Sequence, residues 1–403
     1  MNLPGISLAY LRARPLATAL NLLLLALGIA TIAVLMLATR QLEDRMTRDA
    51  RGIDMVVGAK GSPMQLVLSA VYHLDAPTGN IPLADAREIE RNPMVKQAIP
   101  IALGDSYHGF RIVGTSHDYP AHYGARLAAG RLWEKPLEAV LGADVARTSG
   151  LAVGDRFVGS HGLAAGGELH EKFPYDVVGV LAPTGGVLDR LVLTPVESVW
   201  KVHEHEAEEA RERGRAIPGG GGPEITALLV QFASPIAAVT MPRYVNAGTN
   251  LQAAAPAFES ARLFRMLGVG VEVLRAFGVV LVLAAGLSVF IALTQALEER
   301  RYDLAVMRML GAARGRLMAL LLIEGLALAA AGALAGLALG HALTSLLGAA
   351  LRAQQQVPVT GWTWDAQEAW LVVLALGVGA VAALLPAWRA SRAEVATVLA
   401  EGN

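Results

Sequence analysis

Nine histidines and no cysteine narrow the chemistry this chain can carry. Without thiols there are no disulfides, no thiolate nucleophile, no Cys-type zinc site and no iron–sulfur cluster. Imidazole remains as a zinc ligand, and "HEHE" at His203–Glu206 is the first candidate. It does not match H-E-x-x-H, because Ala207 stands where the second histidine is needed. On a helix, adjacent His and Glu point in different directions. His117 and His122 in "SHDYPAHYG" are no better spaced, and His73, His108, His161 and His170 are scattered. No metal site is assigned; the bland reading is a solvated polar segment. "GAKGS" (Gly58–Ser62) lacks the G-x-x-x-x-G-K-[ST] spacing that wraps a phosphate, so it reads as a turn. No Ser-His-Asp or paired-carboxylate arrangement emerges from spacing. The chain is expected to be non-catalytic.

The elements that would hold such residues are mostly membrane-spanning. Of the 403 residues, 54% are hydrophobic and only 17% charged. Mean hydropathy is +0.45, too apolar for an ordinary soluble enzyme of this size. The net charge of −1 gives no argument for nucleic-acid binding. Runs of about 18 or more apolar residues read as spans. Four qualify or nearly do, at residues 16–39, 273–297, 317–347 and 369–388, the third interrupted by Glu324 and His341. The first has too long an apolar core for a cleaved signal peptide, so it reads as a signal anchor. Arg12 and Arg14 precede it, Arg300 to Arg316 lie between the second and third, and Arg389 and Arg392 follow the fourth. This bias puts residues 1–15, 298–316 and 389–403 in the cytoplasm. The short loop 348–368 and the long stretch 40–272 then lie outside, with Trp362, Trp364 and Trp370 suited to an interfacial belt.

Residues 40–272 read as a folded α+β domain. "FRIVG" (Phe110–Gly114), "EAVLG" (Glu138–Gly142), "YDVVGVL" (Tyr175–Leu181), "RLVLTP" (Arg190–Pro195) and "ITALLVQF" (Ile225–Phe232) are short, β-branched and bounded by Gly or Pro. "LADAREIERN" from Leu83 and the Ser-Pro start from Ala233 predict helices. "GGGG" at Gly219–Gly222 is a loop. "RQLEDRMTRDARG" and "FESARLFRMLGVGVEVLRAF", next to the first two spans, predict helical stalks.

Between the second and third spans lies "EERRYDLAVMRMLGAARGRL" (Glu298–Leu317), with five arginines and three acids. At helical spacing Leu304, Met307 and Gly311 share one face, Val306 and Leu310 flank it, and Arg301 and Arg308 share another. An exposed apolar stripe with an Arg rim suits a groove on a partner. The plain alternative is a loop whose arginines only set topology. Glu324, roughly two turns into the third span, is either a buried polar contact between spans or a carboxylate reaching headgroups. Gly332, Gly336 and Gly340 form two overlapping G-x-x-x-G steps, which predict close helix packing within the subunit or across a dimer axis.

Three segments carry a resemblance. "LEERRYDLAVMRMLGAARGRLMALLLIEGLALAAAGALAGLALG" (Leu297–Gly340), "LLPAWRASRAEVATVLAEG" (Leu384–Gly402) and "AVLGADVARTSGLAVGDRFV" with "YDVVGVL" resemble FtsX/MacB/LolC-type ABC transporter permeases. The resemblance implies an α-helical membrane protein with four transmembrane helices. A MacB-like extracytoplasmic α+β domain is inserted between helices 1 and 2, and a Pro-Ala-x-x-Ala turn leaves the last span. It implies a bacterial inner-membrane permease subunit, itself without cofactor, driven by a separate cytoplasmic ABC ATPase that binds ATP and Mg. A second permease subunit, in a homodimer, and a periplasmic adaptor, lipoprotein or enzyme are the further partners. Arg301, Leu304, Met307, Arg308, Leu310, Gly311 and Arg314 become the ATPase-coupling residues. The cargo would be a peptide, small molecule, lipid or lipoprotein. The alternatives are a force-transmitting regulator of a periplasmic enzyme and, from a different class, a membrane-anchored metal-binding receptor.

Overall fold

The computed structural model describes residues 3–162, 170, 172–203, 222–353 and 359–392. His205 with most of "HEHE", Gly219–Gly221, residues 354–358 and the C-terminal segment from 393 lie outside the described residues. The chain divides into two compact units, one from residues up to Leu42 together with those from Leu267 on, the other Glu43–Met266.

The first unit is helical. Its elements are α1 (Leu3–Ala13), α2 (Pro15–Asp49) as far as Leu42, and α9 (Pro256–Glu299) from Leu267. They are followed by α10 (Arg301–Met309), α11 (Arg314–Ala353) and α12 (Glu368–Arg392). Among the described residues four helices, α2, α9, α11 and α12, are long and apolar enough to cross a membrane. A span needs about 20 residues. The 35 residues of α2 and 44 of α9 therefore exceed a bilayer's hydrocarbon thickness as single helices. Close packing follows from small residues. A Cβ at Gly332 would lie 2.7 Å from Leu25, at Gly336 2.7 Å from Ile29, and at Gly340 2.8 Å from Ala33. The stripe on α11 therefore faces three residues spaced four apart on α2, within one chain. Gly325 and Gly379 do the same between α11 and α12. Pro386 lies inside α12 rather than in a turn leaving it. Such a proline is tolerated where neighbouring helices satisfy the freed carbonyl.

The second unit is α+β. Its strands are β1 (Met55–Ala59), β2 (Ile81–Pro82), β3 (Val95–Tyr107), β4 (Phe110–Thr115), β5 (Leu127–Gly130), β6 (Glu138–Leu141) and β7 (Arg156–Phe157). They continue with β8 (Ser160–His161), β9 (Tyr175–Leu181), β10 (Leu191–Pro195), β11 (Glu224–Ile225), β12 (Ala227–Phe232) and β13 (Leu251–Ala254). The helices are α3 (Pro63–Ala70), α4 (Leu83–Glu90), α5 (Asp118–His122), α6 (Ala143–Ser149), α7 (196–203) and α8 (Ala237–Gly248). The main sheet runs β13-β1-β12-β3-β4-β10-β6-β9-β5, with β7 on β9 and β8 on β3. It is mixed, because β10 lies parallel to β4 and β6 parallel to β9. Strand β9 shows why it forms: Tyr175, Val177 and Leu181 are buried while Asp176 between them is exposed, the period-two pattern of a half-covered strand. The sheet core joins Met55, Val57, Ile225, Leu228 and Val230 to Met241 and Val245 of α8. Helix α8 starts later than the Ser-Pro signal predicts. Ser234 and Pro235 instead make the turn before it, their carbonyls accepting from Ala237 and Ala238 N–H.

Candidate functional site

The charged segment after α9 is not one helix. It is the end of α9, the nine-residue α10, and a turn into α11. Gly311 ends α10 with φ +92°. Its N–H donates to the Arg308 carbonyl and the Ala312 N–H to Met307, a paired closure that suits glycine in the left-handed conformation. Gly311 thus stops the helix.

The apolar stripe read from spacing turns inward. Leu304 is 5% exposed and packs with Leu293, Leu297, Leu317, Leu320 and Leu321; Met307 is half-buried against the same cluster. Val306 is half-buried as well. The reason is burial: a nine-residue amphipathic helix beside an apolar bundle covers its own apolar face first. What remains outward is Tyr302 at 55%, Met309 at 58% and Leu310 at 83% exposure. Arg301 and Arg314 are exposed beside them, Arg301 3.3 Å from Glu298; Arg308 is half-buried.

Glu324 has a partner that spacing did not name. Arg300, in the short link between α9 and α10, lies 3.4 Å from it; Glu324 is buried and the Arg300 side chain is 11% exposed. The Arg300 guanidinium also sits 3.5 Å over the Tyr10 ring of α1, a cation–π contact. Ser7 on the same helix donates to the Leu320 carbonyl, and Arg14 pairs with Glu299. Helix α1 was not anticipated as an element. Ile6 and Tyr10, four apart and packed on the Leu304 cluster, were its available signal. Six helices (α1, α2, α9, α10, α11 and α12) therefore meet around one largely buried ion pair and one apolar cluster.

At the start of α12, Glu368 is 3.0 Å from His341 of α11 and also accepts from the Asp365 N–H. Arg40 pairs with Asp365 at 3.0 Å, and Gln41 exchanges two 2.8 Å hydrogen bonds with the Thr360 backbone. Asn21 and Ser288 join α2 to α9 by a hydrogen bond. Trp362, Trp364 and Trp370 are exposed.

In the sheet unit, Ser62 of "GAKGS" caps α3 and Lys60 donates to the Asn246 carbonyl, which leaves the segment a turn. His117 contacts the Trp133 carbonyl and His122 that of Arg51, so these two do not converge. His73 bonds the Tyr119 hydroxyl. His161, His170 and His203, by contrast, gather around the buried Asp105. Arg131 holds Glu138 through two hydrogen bonds of 2.6 and 2.8 Å, and this side-chain bonding brings the Glu138 carboxyl down to about 2.

Comparison with known proteins matches residues 18–267 to the MacB-like periplasmic core domain and residues 275–395 to the FtsX-like permease C-terminal family. Among solved structures, the periplasmic region of MacB from Actinobacillus actinomycetemcomitans is similar at 14% identity and TM-score 0.35. That match covers 53% of this chain and 95% of the other. The extracellular domain of the noncanonic ABC-type transporter YknZ from Gram-positive bacteria matches at 15% identity and TM-score 0.30, covering 49% and 98%. No curated protein matches significantly.

Proposed function

The chain belongs to the FtsX/MacB-type ABC transporter permease family, and from that premise we propose that it couples a separate cytoplasmic ATPase to movement of its extracytoplasmic domain. The observation carrying the coupling role is the outward face of α10 and its closing turn. Tyr302, Met309 and Leu310 stand exposed beside Arg301 and Arg314, while Leu304 and Met307 anchor the same element in the bundle. A partner that grips the outer face would pull on the Arg300–Glu324 pair and on α9 and α11 together. The Arg-rich side faces the cytoplasm by the positive-inside rule, with both termini there.

Two such subunits, as a homodimer, would flank an ATPase pair. The chain itself would hold no cofactor; ATP and Mg would belong to the ATPase. The cargo would be a peptide, small molecule, lipid or lipoprotein, and a periplasmic enzyme driven by force is the further choice. The test is co-purification from native membranes with Leu310→Glu and Met309→Glu. Both variants should insert normally and lose the ATPase, because a carboxylate on an interface core carries an unpaired charge into it. Retention of the ATPase at the wild-type ratio with normal coupling would remove this surface from the interface.

A further inference from the structure

Strand β8 pairs antiparallel with β3, with Asp105 opposite His161 and Ser106 opposite Ser160. Directly opposed residues project on one face of a sheet, so this register sets the carboxylate beside the imidazole. His203 lies on α7, and its ring arrives over β3 at Gly104. A Cβ at that glycine would stand 2.6 Å from His203 Nε2. His170 is tied back to the strand end, its backbone N–H donating to the Gly159 carbonyl.

Three imidazoles therefore converge on one oxygen. Asp105 Oδ1 is 3.8 Å from His161 Nδ1, 3.7 Å from His203 Nε2 and 3.2 Å from His170 Nε2. The donor atoms of Asp105, His161 and His203 all lie within 4.8 Å of one another. The three rings stand edge to face, with centroids 5.6 to 6.3 Å apart. Zinc–ligand bonds of about 2.0–2.2 Å in a tetrahedron separate neighbouring donors by roughly 3.3–3.6 Å. The separations of His161 and His203 from Asp105 Oδ1 lie within a few tenths of an ångström of that span.

A second observation points the same way. The Asp105 side chain is 1% exposed, yet its Oδ2 has no hydrogen-bond partner among the described residues. A buried carboxylate oxygen without a donor is costly unless a cation compensates it.

We propose that Asp105, His161 and His203 bind one divalent transition-metal cation of the zinc type. His170 hydrogen-bonds the ligating carboxylate and orients it. Imidazole donors favour zinc-like ions over calcium or magnesium. Among the described residues three protein ligands converge, as in zinc sites that keep a position for water or an incoming ligand. Binding would clamp β3, β8 and α7 together.

The experiment uses the untagged full-length chain in mild detergent, stripped with a chelator and titrated with Zn2+ alone. One zinc per chain is expected, with a melting temperature that rises with zinc concentration. X-ray absorption should report nitrogen and oxygen neighbours at about 2.0–2.1 Å. Ca2+ should give no shift. His161→Ala, on a side chain 56% exposed, should fold and lose zinc affinity at least about 100-fold, as should His203→Ala. His170→Ala should lose about 10- to 100-fold as an orienting residue. His122→Ala, outside the cluster, should bind as wild type. The proposal is overturned if wild type shows no saturable one-to-one zinc binding, or if His161→Ala and His203→Ala bind zinc as tightly as wild type.

Discussion

Arg300 and Glu324 stake the helical unit on each other. Glu324 is buried and Arg300 largely so, and removing one leaves the other as an uncompensated charge, a loss of up to about 3–5 kcal/mol for fully buried pairs. Arg300→Met and Glu324→Gln should each lower the melting temperature sharply, and the double variant should recover most of the loss. Additive losses in that thermal cycle would show that the two do not interact. In the sheet unit His73 sets a pH dependence. Burial first, then Arg111 and Arg190 nearby, hold its imidazole well below the usual range, while Tyr119 bonds its Nε2. The folded chain thus refuses a proton that the unfolded chain accepts near 6.5. Stability from this group is complete above that value and falls as pH drops through it, by at most about 1.4 kcal/mol per pH unit. His73→Asn, which tolerates the residue's φ of +54°, should flatten the melting temperature between pH 7 and 5; an unchanged slope would exclude His73 as its source. Glu324 was legible as an anomaly in an apolar run. Its partner was not, because five arginines lie within reach along the sequence and only the fold selects one.

The glycine stripe of α11 is an element-scale device. Gly332, Gly336 and Gly340 recur every four residues and meet Leu25, Ile29 and Ala33, also every four. Gly336→Leu should lower the melting temperature sharply, since its Cβ alone would stand 2.7 Å from Ile29. An unchanged melting temperature would remove this contact from the packing of the chain. The spacing predicted close packing, but not the partner helix, since a small-residue face accepts any neighbour. At α10 the amphipathic pattern was legible and its orientation was not. Leu304 and Met307 answer to the apolar bundle, leaving Met309 and Leu310 outside. Strand β3 was missed because Pro100 and Gly104 interrupt its pattern, although it is the longest described strand and carries Asp105.

For the whole molecule, membership of this permease family implies an ABC ATPase partner, so its partners are the informative measurement. Purification from native membranes should return an ABC ATPase near a one-to-one ratio with this chain. A co-purifying lipid or lipoprotein would identify extraction, an adaptor would identify export, and a hydrolase would identify force-driven enzyme control. Absence of any ATPase after crosslinking at residues 298–316 would remove the motor. Composition and periodicity by themselves determined four apolar helices and an α+β insertion between the first and second, because hydropathy and strand alternation are local properties of the chain; the family entered through the resemblance of particular segments. Which arginine neutralises Glu324, which helix receives the glycines, and which three of the described histidines meet Asp105 were decided only by the tertiary structure. Each of those contacts joins residues far apart in sequence, and a side chain's type states what it needs without stating which distant neighbour supplies it.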